Sequence, residues 1–303
     1  MAIKRNVLLN PGPATTTDTV KASLMAPDMC HREQDFVDVI EKLRKDLVTI
    51  AKGNDKEHVA VLFSGSGTIN MDVMLNSLLP EGKKVLIINN GAYSSRAVDI
   101  AKFYNLQYIE LKLDFSSGVD IKEVRKAFAT NQDIALVYTT HHETGSGILN
   151  DIRGIGKIAH ENGAVFVADT TSSFALVPVN IVDDNVDFIL ASAQKGIAAM
   201  PGLSFIIGKR DIIEKSKDYP KRSYYCNLYR QYYHFEYNGE MQFTPPVQLV
   251  YAAAQGVKEY FLEGAEKKYQ RILRINNAVH DGLKRLGFQE TIKREHQGPL
   301  VVS

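Results

Sequence analysis

The 303-residue chain has only two cysteines, Cys30 and Cys226. Two thiols cannot build a disulfide framework or a Cys-rich zinc site. No apolar run approaches the ~18–20 residues that span a bilayer. An excess of charge of one sign is also missing: 36 Lys+Arg stand against 35 Asp+Glu, for a net charge of +1. Such a balance gives no electrostatic footprint for nucleic acid, although it leaves room for a local basic pocket. The first residues, from Met1 to Leu9, are basic but lack the apolar centre of a signal peptide, and Asn10-Pro11-Gly12-Pro13 interrupts them at once. Internal repeats, low-complexity tracts and linker-like stretches are absent too. The expectation is a soluble, cytoplasmic protein without nucleic-acid or membrane partners.

What is present is ordinary globular material, 45% hydrophobic and 23% charged, enough for one or two domains with a large core and no covalent staples. Phe36, Val39, Ile40, Leu43, Leu47 and Ile50 line one face of a helix. Short apolar, β-branched runs follow at 59–63, 85–89, 108–111, 134–138, 164–168, 188–191 and 203–207. Most are separated by helical patterns, among them 69–79, 95–104, 121–129 and 152–161. Continuous apolar strands spaced by helices predict a doubly wound, mainly parallel α/β sheet covered on both faces. After Met241 two long helical patterns appear, 247–262 and 265–286, with Gly287 as a stop. Residues 298–303 read as the start of a strand. This predicts a large domain over 15–246 and a smaller, incomplete α+β domain from 1–14 and 247–303.

Three features fall just past strand ends, where an α/β sheet presents ligands. Ser64-Gly65-Ser66-Gly67-Thr68 joins a strand to a helix. Its glycines and the helix's first N–H groups would admit a phosphate, or it is an ordinary turn. It is neither a P-loop nor a GxGxxG fingerprint. Asp169 closes the strand 164–168 and would either face the cleft or cap the following turn. Lys195, in Ser192-Ala193-Gln194-Lys195-Gly196, follows the run 188–191. An amine there is either a snorkelling surface lysine or one whose desolvation suits Schiff-base chemistry. Singly, each has a bland reading. Together they supply what pyridoxal phosphate needs: an anion site, an acid for the ring nitrogen and an amine for the aldehyde.

With these motifs in view, the chain resembles the class V, fold-type I pyridoxal-phosphate aminotransferases. The matching stretches run nearly end to end: Leu8-Leu9-Asn10-Pro11-Gly12-Pro13, Ser64 to Thr68, Asn90-Gly91-Ala92-Tyr93, His141-His142-Glu143-Thr144-Gly145, Ala168-Asp169-Thr170-Thr171, Ser192 to Lys195, Leu228-Tyr229-Arg230-Gln231 and Gln242-Phe243-Thr244-Pro245-Pro246. Within that family the His-Glu-Thr-Gly segment and the stretch from Arg222 to Pro246 point to the branch that takes 2-aminoethylphosphonate as donor and pyruvate as acceptor. The resemblance implies that Lys195 carries the cofactor as a Schiff base and shuttles the proton, while Asp169 keeps the ring nitrogen protonated. It implies that Tyr93 stacks on one ring face, Thr171 packs near the other and Thr144 lies near the ring oxygen. Ser66, Gly67, Thr68 and Gln194 would hold the phosphate. Thr244 would reach the phosphate of a neighbouring subunit, which implies a homodimer.

Relatives carry a substrate-binding arginine in a further C-terminal stretch that has no counterpart here; Arg222 and Arg32 are the candidates to replace it. The alternative readings are an alanine–glyoxylate or serine–pyruvate type of aminotransferase, or a non-catalytic cofactor-binding or dimerisation module. Neither cysteine lies in a desulfurase-like motif. Adjacent His141 and His142 on an extended segment point to opposite faces and make a poor metal pair, so no metal is expected. The aromatic cluster Tyr224, Tyr225, Tyr229, Tyr232, Tyr233, Phe235 and Tyr237 would line a subunit interface or a pocket.

Overall fold

The computed structural model describes residues 6–303; the basic residues 1–5, at the head of the expected small domain, lie outside the described residues. Among the described residues nine strands occur in chain order: β1 (His58–Gly65), β2 (Lys84–Asn89), β3 (Tyr108–Lys112), β4 (Ile134–Thr140), β5 (His142–Glu143), β6 (Ile148–Leu149), β7 (Val165–Asp169), β8 (Phe188–Ser192) and β9 (Gly202–Lys209). The α-helices are α1 (Asp18–Ala22), α2 (Gln34–Ile50), α3 (Thr68–Ser77), α4 (Ala92–Phe103), α5 (Ile121–Thr130), α6 (Ile152–Glu161), α7 (Arg210–Lys215), α8 (Leu228–Asn238), α9 (Val247–Glu263) and α10 (Ala265–Arg285). All seven apolar runs marked in the sequence are strands of one sheet, ordered β1-β9-β8-β7-β4-β2-β3. β5 and β6 form a separate small hairpin.

Most neighbours in the large sheet pair in parallel, but β9 runs antiparallel to both β1 and β8. The cause lies in the connection. Residues 193–201, between β8 and β9, are too few to carry a crossover helix back across the sheet, so the chain must reverse. The central strands are buried along nearly their whole length, as expected of a sheet covered on both faces. α2 covers β1 with Phe36, Ile40, Leu43 and Leu47, all buried, as its spacing foretold. α9 buries Val250, Ala252, Ala253 and Val257 in the same apolar core as the sheet, so that core continues past position 247.

The C-terminal tail corrects one expectation. Residues 298–303 form no strand. The Gly298 amide donates to Gly147 O, Thr291 N to Ser303 O and the Ser303 hydroxyl to Ser146 O. These contacts fold the tail onto the β5–β6 hairpin, and its remaining apolar residues, Leu300, Val301 and Val302, are only half-buried. β-branched residues alone do not make a strand; a partner edge does.

Candidate active site

The strand ends build the site. Asp169 is the last residue of β7, with Thr140 of β4 opposite it in register. It is 4% exposed, with both carboxylate oxygens engaged. The Tyr138 hydroxyl donates to Oδ2 at 2.8 Å and the Thr171 amide to Oδ1 at 2.9 Å. Burial pushes the Asp169 pKa above the ordinary carboxylate value, opposed by the Thr171 and Tyr138 hydrogen bonds and the Arg96 charge. A buried carboxylate held this way is well suited to face a cationic ring nitrogen, whose charge would offset the desolvation.

Lys195 sits on the loop that leaves β8. That loop is fixed from several sides. Ala193 N bonds to Leu203 O, Ala199 N to Ala193 O, and Ala14 N to Gln194 O. The buried Lys268 of α10 reaches Gly196 O at 2.6 Å. The Lys195 side chain lies against Gly12, at φ +155°, where a Cβ would run into its Cδ, Cε and Nζ. Its amine is 3.4 Å from Pro11 O. Burial lowers the lysine pKa, and the Asp169 charge partly restores it. A depressed pKa raises the fraction of free amine, the form that attacks an aldehyde.

The third part is the cradle. Ser66, Gly67 and Thr68 lead from β1 into α3, whose Ile69 and Asn70 amides turn back onto Ser66 O and Gly67 O. A Cβ at Gly67 would press on Thr171 and meet Ser192 Oγ, so glycine leaves room where an anion's oxygens would approach. Ser192 Oγ and Gln194 Oε1 are buried without a hydrogen-bond partner among the described residues. Buried polar groups normally have partners, and of these two residues Gln194 lines the cavity. The cradle, the carboxylate and the amine line one open-mouthed cavity of about 240 Å³. Ser66, Gly67, Thr68, Tyr93, Thr144, Asp169, Thr171, Gln194 and Lys195 all face it. The donor set fits pyridoxal phosphate. Thr244 is exposed and does not line this cavity.

Glu143 holds the wall that carries Tyr93. It is fully buried in β5, and its carboxylate accepts from the Tyr93 and Ser94 amides, each at 3.2 Å. A carboxylate on the first N–H groups of α4 caps the helix and complements its dipole. Burial raises the Glu143 pKa, against the backbone hydrogen bonds that lower it.

Arg96 and His142 are among the lining residues that sequence reasoning missed. Arg96 lies one turn beyond Tyr93 on α4, and the i, i+3 spacing from a suspected stacking residue was the signal that could have found it. His142 was weighed only as a metal ligand. Its ring faces the cavity, while His141 bonds Ser173 Oγ and does not line it. The Ser172 hydroxyl donates to His142 O at 2.7 Å, so at 3.1 Å His142 Nδ1 must be the donor to Ser172 Oγ. Burial takes the His142 pKa down to about 3, so the ring is neutral. Arg222 and Arg32, the candidates for a substrate-binding arginine, are elsewhere. Arg222 donates to Asn76 O and Leu79 O, and Arg32 pairs with Glu240. Neither lines the cavity. The aromatic cluster is split: Tyr232 and Phe235 are core, Tyr224, Tyr225, Tyr233 and Tyr237 are exposed, and none lines the cavity.

The aminotransferase class-V family model matches residues 18–303. The chain belongs to the class-V aminotransferases. The 2-aminoethylphosphonate–pyruvate transaminase of Lysinibacillus sphaericus (strain C3-41) is 35% identical, covering 98% of this chain and 81% of its own length. The enzyme of that name from Phocaeicola vulgatus is 34% identical, over 98% of this chain and 82% of its own. The crystal structure of an alanine–glyoxylate aminotransferase from Nostoc sp. superposes with a TM-score of 0.91 at 23% identity, covering 99% of this chain and 79% of that one. At that identity the likeness is one of fold. A class-V aminotransferase is an enzyme of α/β architecture, as the sheet and its strand-end site are here. No helix among the described residues is long and apolar enough to cross a membrane.

Proposed function

We propose that this class-V aminotransferase uses pyridoxal phosphate to move the amino group of 2-aminoethylphosphonate to pyruvate, yielding phosphonoacetaldehyde and alanine. The observation that carries the reading is the convergence of Lys195, Asp169 and the Ser66–Gly67–Thr68 cradle on one cavity. The substrate pair is supported by relatives of that name at 34–35% identity over 98% of the chain. When bound, the cofactor supplies an electron sink that accepts the pair released from the donor's Cα–H bond.

The protein's residues do the rest. The Lys195 amine would anchor the cofactor's aldehyde and, when free, would stand beside the donor's amine-bearing carbon to take its proton and deliver it to the former aldehyde carbon two bonds away. Asp169, kept anionic by Tyr138 and Thr171, holds a proton on the ring nitrogen. Tyr93 and Thr171, both lining the cavity, would confine the ring from its two faces, and Thr144 would hydrogen-bond near its oxygen. Ser66, Gly67, Thr68 and Gln194 grip the phosphate and fix the ring's register. Neutral His142 lines the cavity without adding charge that would compete with Asp169.

Exposed Thr244, beside the exposed aromatic residues, belongs in this reading to the phosphate site of a second subunit in a homodimer. A cytoplasmic location goes with the same reading. The test is Lys195→Ala: the absorbance of lysine-bound cofactor should vanish and borohydride should no longer fix cofactor to the chain. An unchanged spectrum contradicts the assignment.

A further inference from the structure

Arg96 carries an observation that the roles above leave unused. Its guanidinium lies at the mouth of the cavity, with Nη1 2.9 Å from Thr68 Oγ1 and Cζ 5.0 Å from the centre of the Tyr93 ring. Among the described residues it has no carboxylate within ion-pair distance. An arginine has no acceptor, so in the Arg96–Thr68 bond the threonine oxygen must accept. The threonine hydrogen is therefore left to point elsewhere, and Thr68 is part of the anion cradle. Among the described residues the other guanidinium donors meet no acceptor, and the ring beneath restricts the plane in which they lie. A positive charge with free donors, resting on a cradle hydroxyl and lacking a carboxylate, is half of an anion site.

We propose that Arg96 is a phosphate-site residue: it turns the Thr68 hydroxyl into a donor toward the phosphate of the cofactor and adds its own charge beside that phosphate. The inference rests on the pyridoxal-phosphate reading of the cavity. It adds a member to the phosphate grip from outside the glycine loop, and it explains why α4 brings a cation to the N-terminus of α3. Unlike Arg222 and Arg32, this arginine lines the cavity. The rival ligand is the anionic group of the substrate, and the two can be separated because the cofactor's aldehyde is available without its phosphate.

The experiment titrates apo protein with pyridoxal phosphate and, separately, with pyridoxal, reading the absorbance of the lysine-bound form for wild type, Arg96→Met and Arg96→Lys. Arg96→Met should weaken pyridoxal phosphate about 10- to 100-fold, the range of one charge-assisted contact. Pyridoxal should bind both proteins alike, and Arg96→Lys should recover part of the loss. Inorganic phosphate should compete with pyridoxal phosphate less well on Arg96→Met than on wild type. Equal weakening of pyridoxal and pyridoxal phosphate overturns the proposal in favour of a structural role. Unchanged pyridoxal phosphate affinity with a raised KM for 2-aminoethylphosphonate overturns it in favour of the substrate's anion. A wild-type protein that binds neither compound fails the reading of the cavity itself, a result distinct from either.

Discussion

The hydroxyl of Tyr138, in the middle of the sheet, donates to Asp169 Oδ2 from the neighbouring strand at 2.8 Å. Both residues are buried, and the bond is one of two that hold the carboxylate in place. Tyr138→Phe removes it while keeping the ring's volume. A hydrogen bond to a buried charge is worth about 1.5–3 kcal/mol. We expect the variant to fold, bind cofactor more weakly and lose about tenfold in kcat, with the Asp169 pKa rising further. Steady-state kinetics and a cofactor titration check this.

Asp169 itself gives a pH dependence. Its folded pKa lies above the unfolded one because it is buried. Between the two values the folded apo protein holds a proton that the unfolded chain has lost, so stability falls as pH rises through the folded pKa. Asp169→Asn removes that penalty and keeps an acceptor for Thr171. We expect the apo variant to melt above wild type at neutral pH, with the gap closing as the pH drops toward 4. Its kcat should fall by about 10²- to 10³-fold, since the ring nitrogen loses its counter-charge. Melting curves across pH, paired with kinetics, check both signs.

Gly12 sets the room available to Lys195. Its φ of +155° suits glycine, and a Cβ there would collide with the lysine side chain. Gly12→Ala should leave the sheet intact and displace the amine, since lysine is the flexible partner. Displacement of about 1 Å at a reacting group can cost about 100-fold. We expect a loss of that order in the rate of covalent cofactor attachment, measured by rapid mixing.

Glu143 caps α4 from a buried position. Glu143→Ala would strand the Tyr93 and Ser94 amides without an acceptor. Loss of a buried cap costs about 2 kcal/mol. Because the same helix carries Tyr93, weaker cofactor binding should accompany the lower melting temperature. Chemical denaturation and cofactor titration measure the two effects.

Much of this is legible in the sequence. The seven sheet strands announce themselves because a strand covered on both faces must be apolar along its length, as Val59 to Phe63 and Phe188 to Ala191 are. The loop, Asp169 and Lys195 were found because strand-to-helix connections put chemistry at one edge of such a sheet. The tail misled: Val301 and Val302 look like strand, but pairing is a non-local property that local sequence does not carry. Arg222 and Arg32 misled for the same reason, since the carbonyls and the carboxylate that occupy them are more than a hundred residues away. Arg96 was overlooked because one exposed arginine on an amphipathic helix has nothing to distinguish it from a solvated face. Only the fold brings it to Thr68, 28 residues earlier.

The most direct measurement is an absorbance spectrum of the purified protein with pyridoxal phosphate, before and after addition of 2-aminoethylphosphonate. We expect a Schiff-base band near the edge of the visible that bleaches to the pyridoxamine form with this donor and returns with pyruvate. A band that persists in the presence of the amine would contradict the substrate assignment, and no band at all would contradict the role of Lys195.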